Sequence, residues 1–432
     1  MLQVYILRWL YSFLLYLILP WVVQRLFIKG TRNRGYWKRL YERFGLIPKA
    51  DGKPVIWVHA VSVGEVRACL PLVDALLQRY PDHNVLITTM TPTGSDQVRL
   101  LFGDRVLHYY VPYDLPTVVR RFMNRVHPRL LLVMETELWP NIFHACGQRK
   151  IPLLLANVRL SEKSMKGYRY FSGLMKATLA NVSRIAAQSQ QDARRIIELG
   201  ADPSHVEVTG SIKFEQILPA SINEVAESLR ADWGPQRLIL LVASTHEGEE
   251  EQVLQLFRNL KHRFTDLLLV LVPRHPERFA AVTRMCKKAG YHVALRSQAG
   301  APLAMKKDIL IGDTMGELQF FYAAADVALI GGTLAPVGGH NLLEAAAVGT
   351  PSVLGPHTFN FAEITEMACA QGAAVQASDI GQVEIAIAEL LQNPNRRFDA
   401  GQAGKQMVEE NRGALDKILA LVAQLLTPPE QA

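Results

Sequence analysis

At 432 residues the chain is too long for one ordinary core and is read as two domains of roughly 200 residues each. Its four cysteines (Cys69, Cys146, Cys286, Cys369) lie far apart with no CxxC or Cys/His ladder, so neither a disulfide framework nor a zinc site is indicated. The net charge of +7 is local: residues 1–50 hold nine Lys/Arg against Glu42 alone, a balance of +8, and leave the other 382 residues at −1. A nucleic-acid enzyme spreads positive charge along a groove or a domain face, so no nucleic-acid partner is expected.

The first predicted element runs from Trp9 to Val23, WLYSFLLYLILPWVV, and Leu26–Ile28 extend it past Gln24 and Arg25. A bilayer core takes about 20 helical residues, so the segment is borderline for a span. Pro20 suits a kink or a shallow insertion, and Trp9, Tyr11, Tyr16 and Trp21 suit the membrane interface. No small-residue cleavage site follows. The cationic run from Arg25 to Arg43 places the body of the protein on the cytoplasmic side and holds it against anionic headgroups. Residues 1–30 are therefore read as a membrane anchor; a hydrophobic first helix packed on the globular body is the alternative.

After the anchor, short β-rich runs alternate with amphipathic helical stretches, the pattern of parallel sheets covered by helices on both faces. The first half has strand candidates at Val55–Ala60, Val85–Thr89, Val106–Val111, Leu130–Met134, Leu153–Ala156, Arg184–Ala187 and Val206–Thr209. The second has them at Leu238–Ala243, Leu267–Val272, His292–Leu295, Ile309–Ile311, Val327–Ile330 and Ser352–Leu354. Gln216 to Gln236, with Pro219, Gly234 and Pro235, reads as the connection. Both halves open alike, with a strand, then AVSVGE (Ala60–Glu65) or ASTHEGE (Ala243–Glu249), then a helix. Two Rossmann-like domains bind ligands beyond the carboxyl ends of their strands, so a cleft between them is the expected site. GxGxxG and GxxxxGK[ST] are both missing, which disfavours a nicotinamide dehydrogenase and a P-loop NTPase.

Each motif has a chemical and a structural reading. In HAVSVGE, Glu65 is placed to take a proton from a sugar hydroxyl, yet Ser62 and Glu65 have capping-box spacing, and spacing alone favours the cap. In METELWPN, Glu135 and Glu137 end an apolar strand, where carboxylates face water, a cation or a ligand, or are simply turn residues. TGSIKF offers Lys213, either to a carboxylate or phosphate or to solvent. VPRHPER offers Arg274 to a phosphate oxygen, or makes a helix-entry turn set by Pro276. GGTLAPVGGHNLLEAAAVGTP (Gly331–Pro351) is read as a phosphate site, with glycines that admit a ligand and a helix starting at Asn341. Glu344 is placed there to accept ribose hydroxyls. There is no DxD motif for a metal–diphosphate unit, so leaving-group charge falls to the helix start, Arg274 and Lys213.

Together with TTMTPTGS (Thr88–Ser95), NVRLSEKS (Asn157–Ser164) and GDTMGEL (Gly312–Leu318), these motifs resemble one family across nearly the whole chain, the bacterial Kdo (3-deoxy-D-manno-octulosonic acid) transferases of lipopolysaccharide assembly. The resemblance implies an α/β GT-B fold, with an acceptor-binding domain at residues 31–216 and a CMP-Kdo-binding domain at 217–432. It implies inverting, metal-independent transfer of one or more Kdo units from CMP-Kdo to the 6′-hydroxyl of a tetraacylated lipid A precursor (lipid IVA), without a cofactor. Residues 1–49 would hold the enzyme to inner-membrane lipids with its domains in the cytoplasm. Carried over by motif, Glu65 is the general base, and Glu135 and Lys213 support the transition state. The CMP site is formed by Pro273 and Arg274, by Met315, Gly316 and Glu317, and by Asn341, Leu342, Leu343 and Glu344. The family role for Glu65 displaces the cap preference, although one carboxylate can serve both. A nucleotide-sugar epimerase, another lipid-linked glycosyltransferase and a non-catalytic membrane scaffold are the rival readings.

Overall fold

A computed structural model describes residues 2–216, 218–298 and 307–427. The chain forms two compact units, Met1–Glu215 together with Arg412–Ala432, and Gln216–Asn411.

The front unit is built on seven parallel strands: β1 (Val55–His59), β2 (Asn84–Thr89), β3 (Leu107–Tyr110), β4 (Pro128–Met134), β5 (Leu153–Val158), β6 (Arg184–Ala187) and β7 (Val206–Val208). Their order is β3-β2-β1-β4-β5-β6-β7. Strands buried on both faces read as unbroken apolar runs, and β1 (VIWVH) is buried throughout. Successive side chains point to opposite faces: Val55 and Trp57 enter one core, Ile56 and Val58 the other. The strand order reverses between β1 and β4, and in such sheets ligands bind at that reversal, beyond the carboxyl ends.

The rear unit carries β8 (Ile239–Thr245), β9 (Leu268–Pro273), β10 (Val293–Leu295), β11 (Ile309–Ile311), β12 (Val327–Ile330), β13 (Ser352–Leu354) and β14 (Ala374–Gln376), ordered β10-β11-β9-β8-β12-β13-β14. Its reversal falls between β8 and β12. The edge strand β14 has no counterpart in the sequence reading, because three residues bounded by small and polar neighbours give no periodicity.

The C-terminal end departs from the expected 217–432 domain. Helix Ala414–Leu426 has its apolar stripe at Ile418, Leu419, Leu421 and Val422, and these side chains are buried in the front unit's core with Ile56 and Val58. The Glu215 carboxylate accepts the N–H groups of Gly413 (2.8 Å) and Leu415 (3.2 Å) and pins the start of this helix. The apolar face of that helix is therefore satisfied by the front sheet, and the rear unit ends at Asn411. The first element is a continuous helix, Leu2–Arg32, with Pro20 inside it.

Candidate active site

In the front unit, helix Val63–Ala68 starts directly after β1. Glu65 lies in its first turn and is 7% exposed. Its Oε2 accepts the Val61 N–H (2.8 Å) and its Oε1 accepts the Ser62 hydroxyl (2.8 Å), while Ser62 Oγ accepts the Glu65 N–H at 3.2 Å. The Ser62 cap that the spacing suggests is formed, with the Glu65 carboxylate reaching back to the Val61 N–H and not to that of Ser62. It does not neutralise the group's chemistry: burial pushes the Glu65 carboxyl up to about 7, against the two hydrogen bonds, with the charges of Glu135 and Glu137 adding to the rise.

Those two glutamates follow β4, across the strand-order reversal from β1. Glu135 adopts a left-handed backbone (φ +56°), rare for a side-chain-bearing residue and held by its N–H donating to Ala156 O at 2.9 Å. Its Oε1 lies 3.3 Å from Lys213 Nζ. Glu137 accepts the Trp139 indole N–H at 3.1 Å, and burial raises its pKa. Lys213 sits in a single 3-10 turn, Ile212–Phe214, placed by Asn157: this fully buried residue at the end of β5 (φ +60°) accepts the Ile212 N–H at 3.0 Å. Glu65, Glu135 and Lys213, far apart in sequence, are thus brought to one edge of one sheet.

In the rear unit the expected nucleotide residues all lie at or beyond strand carboxyl ends. Pro273 closes β9, and Arg274 donates its backbone N–H to Thr245 O of β8 at 2.9 Å. Met315 is an exposed side chain next to Gly316 (φ +82°). Glu317 is held by Arg296, whose Nη2 donates to Oε1 at 2.6 Å, and by the Thr314 hydroxyl. The helix expected at Asn341 begins at Leu343 and lasts six residues, and Asn341 Oδ1 accepts the Leu343 N–H at 3.2 Å. Leu342 and Leu343 are buried, so only their main chain is available to a ligand. Asn341 Nδ2 donates to Glu344 Oε1 at 3.3 Å.

The glycine-rich segment is expected to let backbone approach a ligand, and several of its N–H groups build the loop itself. Gly338 and Gly339 donate to Gly332 O (3.1 and 2.7 Å), while Gly332 donates to Glu249 Oε2 at 2.8 Å. Glu249 is 1% exposed and is the hub: it also accepts from His246 N–H (2.8 Å), Leu334 N–H (2.9 Å) and Ala335 N–H (3.2 Å). Its neighbour Glu250 accepts Arg278 Nη2 at 3.0 Å and fixes the Arg274–Arg278 turn. The His246 and His340 rings meet with their Nε2 atoms 2.8 Å apart. Gly331 is required because a Cβ there would lie 2.4 Å from Ser244 O. Sequence reasoning noticed ASTHEGE as an echo of AVSVGE but gave Glu249 no role; paired acids opening a helix opposite a glycine-rich loop were the available signal. Among the described residues no group of three or more His, Cys, Asp or Glu is placed to hold a metal ion.

Two Rossmann-like parallel-sheet units, with a carboxylate cluster at one strand-order reversal and a glycine-rich loop at the other, define the GT-B fold. The same fold is seen in UDP-GlcNAc 2-epimerase from Neisseria meningitidis (TM-score 0.56, 15% identity, 86% of this chain and 100% of that one) and in a glycosyltransferase from Rickettsia africae (TM-score 0.54, 14% identity, 88% and 100%). The chain belongs to the 3-deoxy-D-manno-octulosonic acid (Kdo) transferase family of lipopolysaccharide biosynthesis. Residues 38–216 match the family model for 3-deoxy-D-manno-octulosonic-acid transferase, and residues 234–407 match glycosyl transferases group 1. Identity is 40% to the Kdo transferase of Haemophilus influenzae, covering 97% of this chain and 99% of that one. It is 36% to that of Bordetella pertussis, covering 95% and 98%.

Proposed function

We propose that the protein transfers Kdo, with inversion, from CMP-Kdo to the 6′-hydroxyl of lipid IVA and can add more than one unit. The observation that carries the reading is Glu65: a buried carboxyl with its pKa at about 7, beside two further glutamates and Lys213, on a chain of this family. A base is most effective when its pKa lies near the working pH. Glu65 takes the proton of the acceptor hydroxyl as that oxygen forms its bond to the anomeric carbon of Kdo, and the bond from that carbon to the CMP phosphate breaks in the same displacement. The cationic character that develops on the sugar is offset by Glu135, whose carboxylate Lys213 orients. CMP is released to the rear unit, where Arg274 and Asn341 meet its phosphate, Glu344 accepts ribose hydroxyls, and Pro273 and residues 315–317 enclose the base. In this assignment the front unit holds the acceptor and the rear unit the donor.

The apolar first helix and the basic residues up to Lys49 keep the enzyme on the cytoplasmic face of the inner membrane, where the acceptor's acyl chains reside. The test is to incubate purified protein with CMP-Kdo and lipid IVA and weigh the lipid. A gain of one or more Kdo masses is expected. No gain with CMP-Kdo, with transfer from a UDP-sugar instead, would overturn the donor assignment.

A further inference from the structure

The first helix is long and apolar enough to cross a bilayer, yet both of its ends are fastened to the front unit. Near its start, Arg8 Nη1 donates to Asn141 Oδ1 (3.0 Å) and the Tyr11 hydroxyl donates to Asp114 Oδ2 (3.0 Å). Asn141 Nδ2 donates to Ser12 Oγ (3.1 Å), and the Tyr16 and Thr117 hydroxyls lie 2.8 Å apart. Positions 8, 11, 12 and 16 form one face of a helix. Their partners are built for the contact. Asp114 and Asn141 are 4% and 2% exposed, and Asp114 also accepts the N–H groups of Asn141 (3.0 Å) and Ile142 (2.8 Å). Gly173 lets Leu7 approach, since a Cβ there would lie 2.9 Å from Leu7 Cδ1.

At the other end the Trp37 indole donates to Phe27 O at 3.1 Å and covers Gly30, where a Cβ would meet its Nε1 at 1.9 Å. The segment that follows is tied in turn to the front sheet: Glu42 accepts the Tyr110 N–H at 2.9 Å, and Arg43 donates to Met90 O at 2.8 Å. Between Tyr16 and Phe27, the innermost ties, the helix advances about 16 Å, roughly half of the hydrocarbon thickness. A helix whose two ends rest on one folded unit has both ends on the same side of the membrane.

The face turned away from these ties is apolar and exposed, with Trp9, Phe13, Leu17 and Trp21 between 57% and 61% exposed. Tyr170 and Phe171, 87% and 64% exposed, stand immediately before the helix that carries Gly173. Arg25 stacks over Trp21 and Lys29 over Tyr36. Rings and basic groups in this arrangement fit the boundary between acyl chains and anionic headgroups.

We propose that this helix is an in-plane anchor: it lies within one leaflet of an anionic bilayer, its outer face in lipid and its polar seam bolted to the front unit. Because Asn141 closes the segment that carries Glu135 and Glu137, the bolt also fixes the height of the candidate active site above the lipid surface. The inference rests on the membrane attachment proposed above and specifies its geometry.

The test uses the full chain with Gln3→Cys or Lys38→Cys, in spheroplasts and in inverted inner-membrane vesicles, labelled by a membrane-impermeant maleimide. Three of the four native cysteines are buried, and the parent chain supplies the background. Both new thiols should label from the cytoplasmic face only. Labelling of Gln3→Cys from the opposite face alone would overturn the in-plane geometry while leaving membrane attachment intact. A separate arm floats the parent protein with phosphatidylglycerol-containing vesicles. Failure to float, or conversion of the exposed face into a contact between two copies, would overturn the attachment and the inference with it.

Discussion

The two units present opposite kinds of site on the same architecture. At the front reversal the chemistry lies in side chains: Glu65 with its raised pKa, Glu135 on a left-handed backbone, and Lys213 placed by a buried asparagine. At the rear reversal a single buried carboxylate, Glu249, gathers four main-chain N–H groups and gives the glycine-rich loop its shape. A proton-transfer site depends on the electrostatic surroundings of one group. A nucleotide cradle depends on where the backbone is held. Substitutions at the front should therefore act on turnover and its pH dependence, and substitutions at the rear on donor affinity.

The sharpest break in that contrast is Glu65→Gln, which keeps the size of the side chain and removes the proposed base. Transfer should fall roughly a hundred- to ten-thousand-fold, the usual contribution of general-base catalysis. CMP affinity, measured by calorimetry, should be unchanged, because the residues proposed to hold the nucleotide belong to the other unit. Equal loss of both would make Glu65 a structural cap and nothing more.

Glu249→Gln is the counterpart at the rear. The amide turns an NH₂ group toward N–H donors and leaves part of the hub unsatisfied, a cost of about 1–3 kcal/mol for each orphaned group. Affinity for CMP should drop about tenfold, with turnover at saturating donor largely retained. A fall in turnover with unaltered donor KM would mean that the loop is not a donor element.

What could be read from the residues follows the same division. Strands buried on both faces announce themselves as apolar runs, so both parallel sheets were legible, and so was the glycine-rich loop. The last helix was misplaced because an amphipathic stripe shows that a face is buried but not which sheet buries it: Ile418 and Val422 fit either unit by composition. Glu249 was passed over for a related reason. A glutamate that opens a helix has an ordinary explanation, and only coordinates reveal that its carboxylate reaches Gly332, Leu334 and Ala335, more than eighty residues away. Asn157 and Asp114 act in the same way, through partners distant in the chain.

A smaller effect separates the two roles of the Ser62–Glu65 pair. Ser62→Ala removes the helix cap, which should cost about 1 kcal/mol and lower the melting temperature by a few degrees. It also removes a hydrogen bond that favours the carboxylate, so the acid limb of the transfer rate, expected near pH 7, should move to higher pH. A thermal shift without movement of the limb would mean that the hydroxyl caps the helix but does not tune the base.

The smallest expected change is the opposite displacement. Glu137 raises the Glu65 pKa through like-charge repulsion, so Glu137→Gln should move the acid limb to lower pH by less than one unit, because the charges rank below burial as a cause. The sign can be checked independently on stability. A carboxyl that titrates at about 7 when folded and at its ordinary value of 4.5 when unfolded contributes stability that is complete below 4.5 and is lost as pH rises to 7 and beyond. Denaturant melts of the parent chain from pH 5 to pH 8 should therefore show a decline that Glu65→Gln reduces, with the remainder carried by Glu137 and Asp114, whose carboxyls burial also raises. If Glu137→Gln left the limb in place, Glu65 would be electrostatically independent of Glu137, and its raised pKa would have to be assigned to burial and Glu135.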